Sequence, residues 1–445
     1  MKILIASIPV PGHLNPLLSI ASLLVESGHE VAVQVNEDLR PAVEAAGYRF
    51  LSEIPNAQTS AAYYLDNYPV RMQKSPGMEM TGYDLVHFFA RNIAAQSASL
   101  KMALFDFRAD LILADSIYWG TLPMLVGPRD KRPAIAHLGV SVVNIASGRN
   151  IPMRPGETPE QRDAELRLRE LFILQPAQQA VNAALASLGY PALPCPILEA
   201  MTALPDLYLH PGIKNFEYPD ANSKVRYIGA LPALAGQATL PEWWRRLDRT
   251  KRFVLVTQGT IANRDFGEVI APALVALGAR EEMIIVVTTG GQPFESIPVT
   301  IPSNARIASF LPYAQIMPEI DLLITNGGYG TVNMAISHGI PVISAGLTED
   351  KEEVSAHVQW SGAGIDLRTN RATPEAIKHA VDEIYTQTRY RERAHQFALE
   401  FASHDVKAEL LSLIEECVPE TRRRMVYSNM ERTDGLSSGQ SVLED

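Results

Sequence analysis

Short apolar runs alternate with longer amphipathic stretches from the first residues of the chain. Residues 2–8 (KILIASI) are apolar throughout and strand-sized, while 16–27 (PLLSIASLLVES) carry the wider apolar stripe of a helix. A second strand is predicted at 30–35 (EVAVQV) and a later one at 110–114 (DLILA). Apolar strands separated by helices imply a parallel sheet covered on both faces. The rhythm lapses over 150–250, a stretch rich in Pro, Gln and Ala, and 231–250 has the composition of a linker. It resumes with strands at 253–257, 283–289, 321–325 and 341–344, and helices over 266–278 and 331–339. Residues 389–416 form a long amphipathic helical pattern, and a polar tail follows from Pro419.

The pattern predicts an α/β chain of two doubly wound, Rossmann-like domains facing each other across a cleft. The boundaries are a first domain at 1–230, a linker at 231–250 and a second domain at 251–388. A C-terminal helix at 389–418 could pack back on the first domain, ahead of a disordered tail at 419–445.

The length of 445 residues suits two such domains. A 47% hydrophobic fraction excludes low complexity, and the two cysteines, Cys195 and Cys417, are too few for a disulfide scaffold. A net charge of −11 opposes nucleic acid and anionic lipid, and the one dense basic cluster, Arg422-Arg423-Arg424, falls in the tail. No run reaches the ~18 apolar residues of a membrane span, so a soluble, cytoplasmic protein is expected. Scattered His and Cys offer no zinc spacing. No Asp-x-Asp pair is present to hold a metal–diphosphate, so metal-independent chemistry is expected.

Candidate chemistry gathers at strand ends. His13 lies in Pro11-Gly12-His13-Leu14-Asn15-Pro16, read as a loop after the first strand, with Asn15 as N-cap and Pro16 as first helical residue. An imidazole there can take a proton from an alcohol, or it can merely satisfy turn carbonyls. Asp115 closes the strand-like run 110–114, where it would orient that imidazole or cap the next helix. Thr325-Asn326-Gly327-Gly328-Tyr329-Gly330-Thr331 joins a strand to a helix, as a phosphate cradle or a plain tight turn. It matches neither the P-loop nor the dinucleotide pattern. Thr257-Gln258-Gly259-Thr260 is a similar turn, and Thr348-Glu349-Asp350-Lys351-Glu352-Glu353 is a mixed charge run past another strand.

These blocks resemble the UDP-glycosyltransferase family over about residues 2–415. The likeness rests on GHLNP at 12–16, Asp115, Gly259-Thr260, Phe310-Leu311-Pro312, and especially the register of NGGYGT (326–331), HGIP (338–341) and Asp350-Lys351. The resemblance implies a GT-B fold and an inverting nucleotide-sugar-dependent transferase. The second domain would bind the nucleotide sugar and the first the acceptor. His13 would be the general base and Asp115 its partner. Gly12, Gly259, Thr260, Asn326, Gly328, Gly330 and Thr331 would line the donor. Phe310 and Leu311 would meet the nucleobase, and Asp350 and Lys351 the sugar. Asn326, Met334, Lys351 and Tyr313 depart from the family's usual His, Glu, Gln and Gln. Ribose recognition would then move to Asn333 or be weaker, and a TDP-linked or deoxysugar donor such as rhamnose stands beside a UDP-sugar.

Between residues 60 and 125, Tyr63, Tyr64, Met72, Met78, Met80, Phe88, Phe89, Met102, Tyr118 and Trp119 read as a helix-packing core or as an acceptor pocket. Phe88, Tyr118 and Trp119 are the pocket candidates, for a lipophilic hydroxylated molecule such as a flavonoid, polyketide or sterol. No cofactor beyond the donor co-substrate and no obligate protein partner is expected. The alternatives are a GT-B epimerase, a cell-wall N-acetylglucosamine transferase, and a catalytically silent partner protein.

Overall fold

Two all-parallel sheets organise the computed structural model, which describes residues 1–54, 69–143, 152–219, 224–234, 239–260 and 263–418. The front sheet contains β1 (Lys2–Ala6), β2 (Glu30–Val35), β3 (Arg49–Ser52), β4 (Leu111–Asp115), β5 (Ala134–Leu138), β6 (Leu207–His210) and β7 (Val225–Tyr227). Its order is β3-β2-β1-β4-β5-β6-β7. The rear sheet contains β8 (Arg252–Thr257), β9 (Met283–Thr288), β10 (Ala305–Ala308), β11 (Leu322–Thr325), β12 (Val342–Ser344) and β13 (Gly364–Asp366). Its order is β10-β9-β8-β11-β12-β13.

The front sheet is buried on both faces, as its near-continuous apolar strands require. Along β1, Ile3 and Ile5 pack with Leu14 and Leu17, while Leu4 and Ala6 pack with Leu104 and Phe107 on the opposite face. In both sheets the strand order reverses beside the first strand of the series, between β1 and β4 and between β8 and β11. Open α/β sheets leave a crevice at the carboxyl ends of such neighbours. Register aligns those ends, with Ala6 opposite Ala114 and Thr257 opposite Thr325.

Several boundaries differ from the sequence expectation. Helix α1 (Pro11–Glu26) begins five residues before Pro16, with Val10 extended as its N-cap and Pro11 in its first turn. Proline suits a first helical position because its φ is preset, whereas Pro16 inside the helix forgoes the bond to the carbonyl of Gly12. His13 therefore stands on a helical turn rather than in a loop. The front sheet also continues through the region of lost rhythm, because β6 and β7 are only four and three residues long and carry too little pattern. That region holds helix α2 (Pro159–Arg169) as well, started by a Thr158–Gln161 capping box. In the stretch 231–250, Trp244 is buried in the rear core and donates to Glu319 at 3.2 Å.

Helices α3 (Tyr329–Ser337) and α4 (Lys351–Ser361) follow β11 and β12. The expected single helix over 389–416 is two, α5 (Arg389–Ala402) and α6 (Val406–Cys417), broken where Asp405 caps the second through Ala408. Phe397 and Phe401 of α5 join the rear core, whereas Leu410 and Ile414 of α6 lie in the front core with Ile3 and Leu14. Tyr63, Tyr64, the Met72 side chain and the tail 419–445 lie outside the described residues.

Candidate functional site

The front crevice brings His13 and Asp115 together across 102 residues of sequence. His13 Nδ1 lies 2.8 Å from Asp115 Oδ2, and Asp115 Oδ1 accepts from the Ile117 amide at 3.1 Å. A carboxylate only accepts, so Nδ1 carries the proton and donates it, which leaves the Nε2 lone pair for an incoming hydroxyl. Asp115 is fully buried while the His13 side chain keeps 23% exposure. Burial, the largest influence, pulls His13 down. The charge and hydrogen bond of Asp115, joined by the charge of Asp350, outweigh it and hold the imidazole above its usual value. His137 on neighbouring β5 shows the opposite balance. Both of its ring nitrogens are engaged by Thr121 and the Met201 carbonyl, and burial drives it down to about 4.

The rear crevice is lined by the turns after β8 and β11. Gly328 caps α3, and a Cβ placed on Gly12, Gly328 or Gly330 would meet nothing within 4 Å. Those three positions border open space. The amides of Tyr329 and Gly330 open α3 ahead of its first carbonyl and carry the positive end of the helix dipole, so a phosphate can approach them closely, while the Thr331 amide bonds the Gly328 carbonyl at 3.2 Å. Thr331 is half-buried on the first turn of α3, and Gly259 lies beside Asn326 in the turn after β8, followed by exposed Thr260. Gly327, at φ 90°, has the opposite duty: a side chain there would strike Ser355 Oγ at 2.7 Å. Asn263 braces the cradle from below by donating to the carbonyls of Gly259, Thr289 and Gly290.

Asn326 links the turns after β8 and β11. Its amide donates to the Gln258 carbonyl at 2.7 Å and ties the two turns together. Phe310 is 53% exposed beside Gly291, while the Leu311 side chain is buried in the rear core. Tyr313 bonds Thr288 at 2.8 Å below the rim. Asp350 precedes α4 without capping it, and its charge is felt by both His13 and Tyr329. His13 of the front domain and Asp350 of the rear domain thus lie within electrostatic reach of each other. Lys351 is buried and pairs with Glu349, whose carboxyl burial would raise but which Lys351, Thr348 and Arg71 hold low.

Four of the expected residues are buried. Asn333 is 8% exposed and its side-chain NH₂ donates to the Pro211 carbonyl at 2.9 Å, which commits that group to the interdomain contact. Tyr118 and Trp119 are 0% and 1% exposed in the front core, and the Tyr118 hydroxyl is bonded to buried Glu53. Phe88 is buried too, edge-on to Phe89. Of the two readings of this stretch, Tyr118 and Trp119 take the packing role in the front core.

Sequence reasoning missed a buried network behind the cradle. The Tyr329 hydroxyl lies 2.8 Å from His210 Nε2 and 3.0 Å from the Pro211 carbonyl it donates to. His210 and His357 both approach Glu217, at 3.1 and 3.5 Å. Burial works to raise Glu217, but the two histidines hold it at about 2. These residues lie far apart in the chain, and single histidines in apolar context carry no sequence signal. Among the described residues, no group of three or more His, Cys, Asp or Glu is placed to hold a metal ion, and no helix is long and apolar enough to cross a membrane.

Comparison with known proteins matches this geometry. The model of the C-terminal domain of erythromycin biosynthesis protein CIII-like proteins matches residues 273–417. The chain is 32% identical over 432 residues to 4'-demethylrebeccamycin synthase of Lentzea aerocolonigenes, covering 94% of this chain and 99% of that protein. It is 31% identical over 433 residues to UDP-glycosyltransferase 2 of Phaeomoniella chlamydospora, covering 93% and 95%. Among solved structures, the glycotransferase of kitacinnamycin shares the fold with a TM-score of 0.70 at 19% identity, over 94% of this chain and 99% of that one. Spinosyn rhamnosyltransferase SpnG does so with a TM-score of 0.67 at 20% identity, over 93% and 100%. None of these names is that of an epimerase or a cell-wall N-acetylglucosamine transferase. The chain belongs to the UDP-glycosyltransferase family: it has the GT-B fold and is a nucleotide-sugar-dependent glycosyltransferase.

Proposed function

We propose that the chain transfers a sugar from UDP or TDP to a hydroxyl of a lipophilic small molecule, with inversion at the anomeric carbon and without a metal ion. The observation that carries the reading is the His13–Asp115 pair in the front crevice, within the field of Asp350 beside the rear cradle. His13 Nε2 takes the proton as the acceptor oxygen attacks the anomeric carbon. The forming imidazolium is stabilised by Asp115. The bond to the diphosphate oxygen breaks on the far side. Its charge is received by the amides at the start of α3, by Gly259 and Thr260, and by the helix dipole. Phe310 offers an exposed ring to the nucleobase, the backbone of Leu311 meets the base edge, and Asp350 and Lys351 face the sugar.

The donor choice between UDP and TDP follows from two kinds of likeness. Relatives are named as UDP-glycosyltransferases, whereas SpnG, sharing the fold, is a rhamnosyltransferase solved with thymidine diphosphate and with spinosyn aglycone. The engagement of Asn326 and Lys351 by neighbours favours a donor other than UDP-glucose. We place the enzyme in the cytoplasm without an obligate protein partner, and its net charge of −11 disfavours polyanions.

The test is purified protein with EDTA, a panel of phenols and lipophilic alcohols, and UDP-glucose, TDP-glucose or TDP-rhamnose. Glycoside of inverted configuration should form, with free nucleoside diphosphate appearing only when acceptor is present. Retained configuration, or turnover abolished by EDTA and restored by magnesium or manganese, overturns the proposal.

A further inference from the structure

The mixed charge run 348–353 reads in sequence as a solvated face, but the structure presses it against the front domain. Arg71 Nη2 reaches Glu349 at 3.3 Å, Arg154 Nη2 reaches Glu352 at 3.1 Å, and Arg169 Nη1 reaches Glu353 at 3.1 Å. Each arginine comes from a different stretch of the front domain, and each glutamate from one short stretch of the rear domain. Arg71 is itself locked by a two-pronged bond to Asp84, at 2.8 and 2.9 Å. Arg154 is shared with Glu165 of α2 at 3.8 Å, so the clasp is anchored in regular structure.

Four further facts show that the run is held rather than merely touched. The Arg169 and Glu353 side chains are 12% and 5% exposed, so the pair is largely withdrawn from water. Glu349 sits at φ 53°, a left-handed conformation that a non-glycine residue keeps only when its surroundings impose it. Gly77 approaches so closely that a Cβ there would lie 3.6 Å from Glu352 Oε2. Arg368, beyond β13, returns the contact by donating to the Pro155 carbonyl at 3.1 Å.

Between the clasped glutamates lie Asp350 and Lys351. We propose that Arg71, Arg154 and Arg169 are positioning residues for the donor sugar, fixing the rear loop that presents Asp350 and Lys351 to it. The inference rests on the reading above that these two residues face the sugar. Half-buried ion pairs are less screened than surface ones, so their orienting effect survives ordinary ionic strength. The three ion pairs are made by Glu349, Glu352 and Glu353 and by no residue of the diphosphate cradle, which the same loop meets only through Lys351 beside Gly327. Loss of the clasp should weaken recognition of the sugar and spare the nucleotide.

The partly buried pair Arg154–Glu352 is the one to perturb, because it is more exposed than Arg169–Glu353 and glutamine removes either charge while keeping a polar side chain. Arg154→Gln and Glu352→Gln are compared with the double variant Arg154→Gln/Glu352→Gln, using UDP and TDP alone and UDP-glucose and TDP-rhamnose as probes. Each single change should raise KM for the accepted nucleotide sugar about three- to tenfold, as expected for a partly buried ion pair. Affinity for the bare nucleoside diphosphate should stay within about twofold, and the double variant should lose less than the product of the two single losses. An unchanged KM in both single variants overturns the proposal. So does a parallel loss of affinity for nucleotide sugar and bare nucleotide, which would mark a merely structural role. Asp350→Asn separates the two layers. If it leaves nucleotide-sugar affinity unchanged, the sugar-side reading itself fails; if it weakens that affinity while Arg154→Gln does not, only the clasp fails.

Discussion

Replacing Asp115 by Asn keeps the shape of the buried side chain and removes its charge. In the native site the carboxylate accepts from His13 Nδ1 at 2.8 Å with no exposure of its own, so the hydrogen bond is charge-assisted and shielded from water. Such bonds are worth about 1.5–3 kcal/mol, which corresponds to about 10- to 150-fold in rate when the charge develops in the transition state. An asparagine that turns its NH₂ toward Nδ1 would also favour the wrong imidazole tautomer and deepen the loss. His13→Ala sets the outer bound, about 10²–10⁴-fold for removal of a general base. The pH profile carries the sharper signature. The base must be neutral to act, so kcat/KM falls as pH drops through the raised value of His13. Without Asp115, burial dominates and lowers that value, so the acid limb should move to lower pH while the plateau drops. Initial rates across pH, together with nucleoside diphosphate affinity by calorimetry, measure both. An unchanged plateau and acid limb in a folded Asp115→Asn enzyme would refute the dyad.

Two other substitutions test the rear domain. Gly330→Leu places a side chain in the open space before α3 and removes a helix-weakening glycine, worth up to about 1 kcal/mol. The melting temperature should hold or rise while nucleotide-sugar binding disappears; retained binding would move the phosphate site elsewhere. Glu217, depressed from 4.5 to about 2, contributes about 3 kcal/mol of stability that is present above pH ~4.5 and lost as pH falls through about 2. Glu217→Gln should remove that acid-dependent portion, so denaturant melts of the two proteins between pH ~5 and ~2 should converge. A constant difference across that range would show that the carboxylate is not the titrating group.

Much of this enzyme is readable from residue order because its strands are apolar on both faces and its cradle is a local motif. KILIA, FVLVT and MIIVVT announce buried parallel strands, and NGGYGT to Asp350-Lys351 keeps its register within one stretch of chain. Short strands such as β6 and β7 escape, since three or four residues hold no periodicity. Chain order could propose His13 and Asp115 separately, but their pairing depends on β1 and β4 lying side by side across the switch point. Tyr118 and Trp119 stay open between core and pocket in the sequence for the converse reason, because composition records that a residue is apolar and not which way it faces. The clasp of Arg71, Arg154 and Arg169 on 349–353 lies further still beyond sequence. An arginine looks the same in water or against a glutamate some 180 to 280 positions away, and only the docking of the two domains removes the water between them.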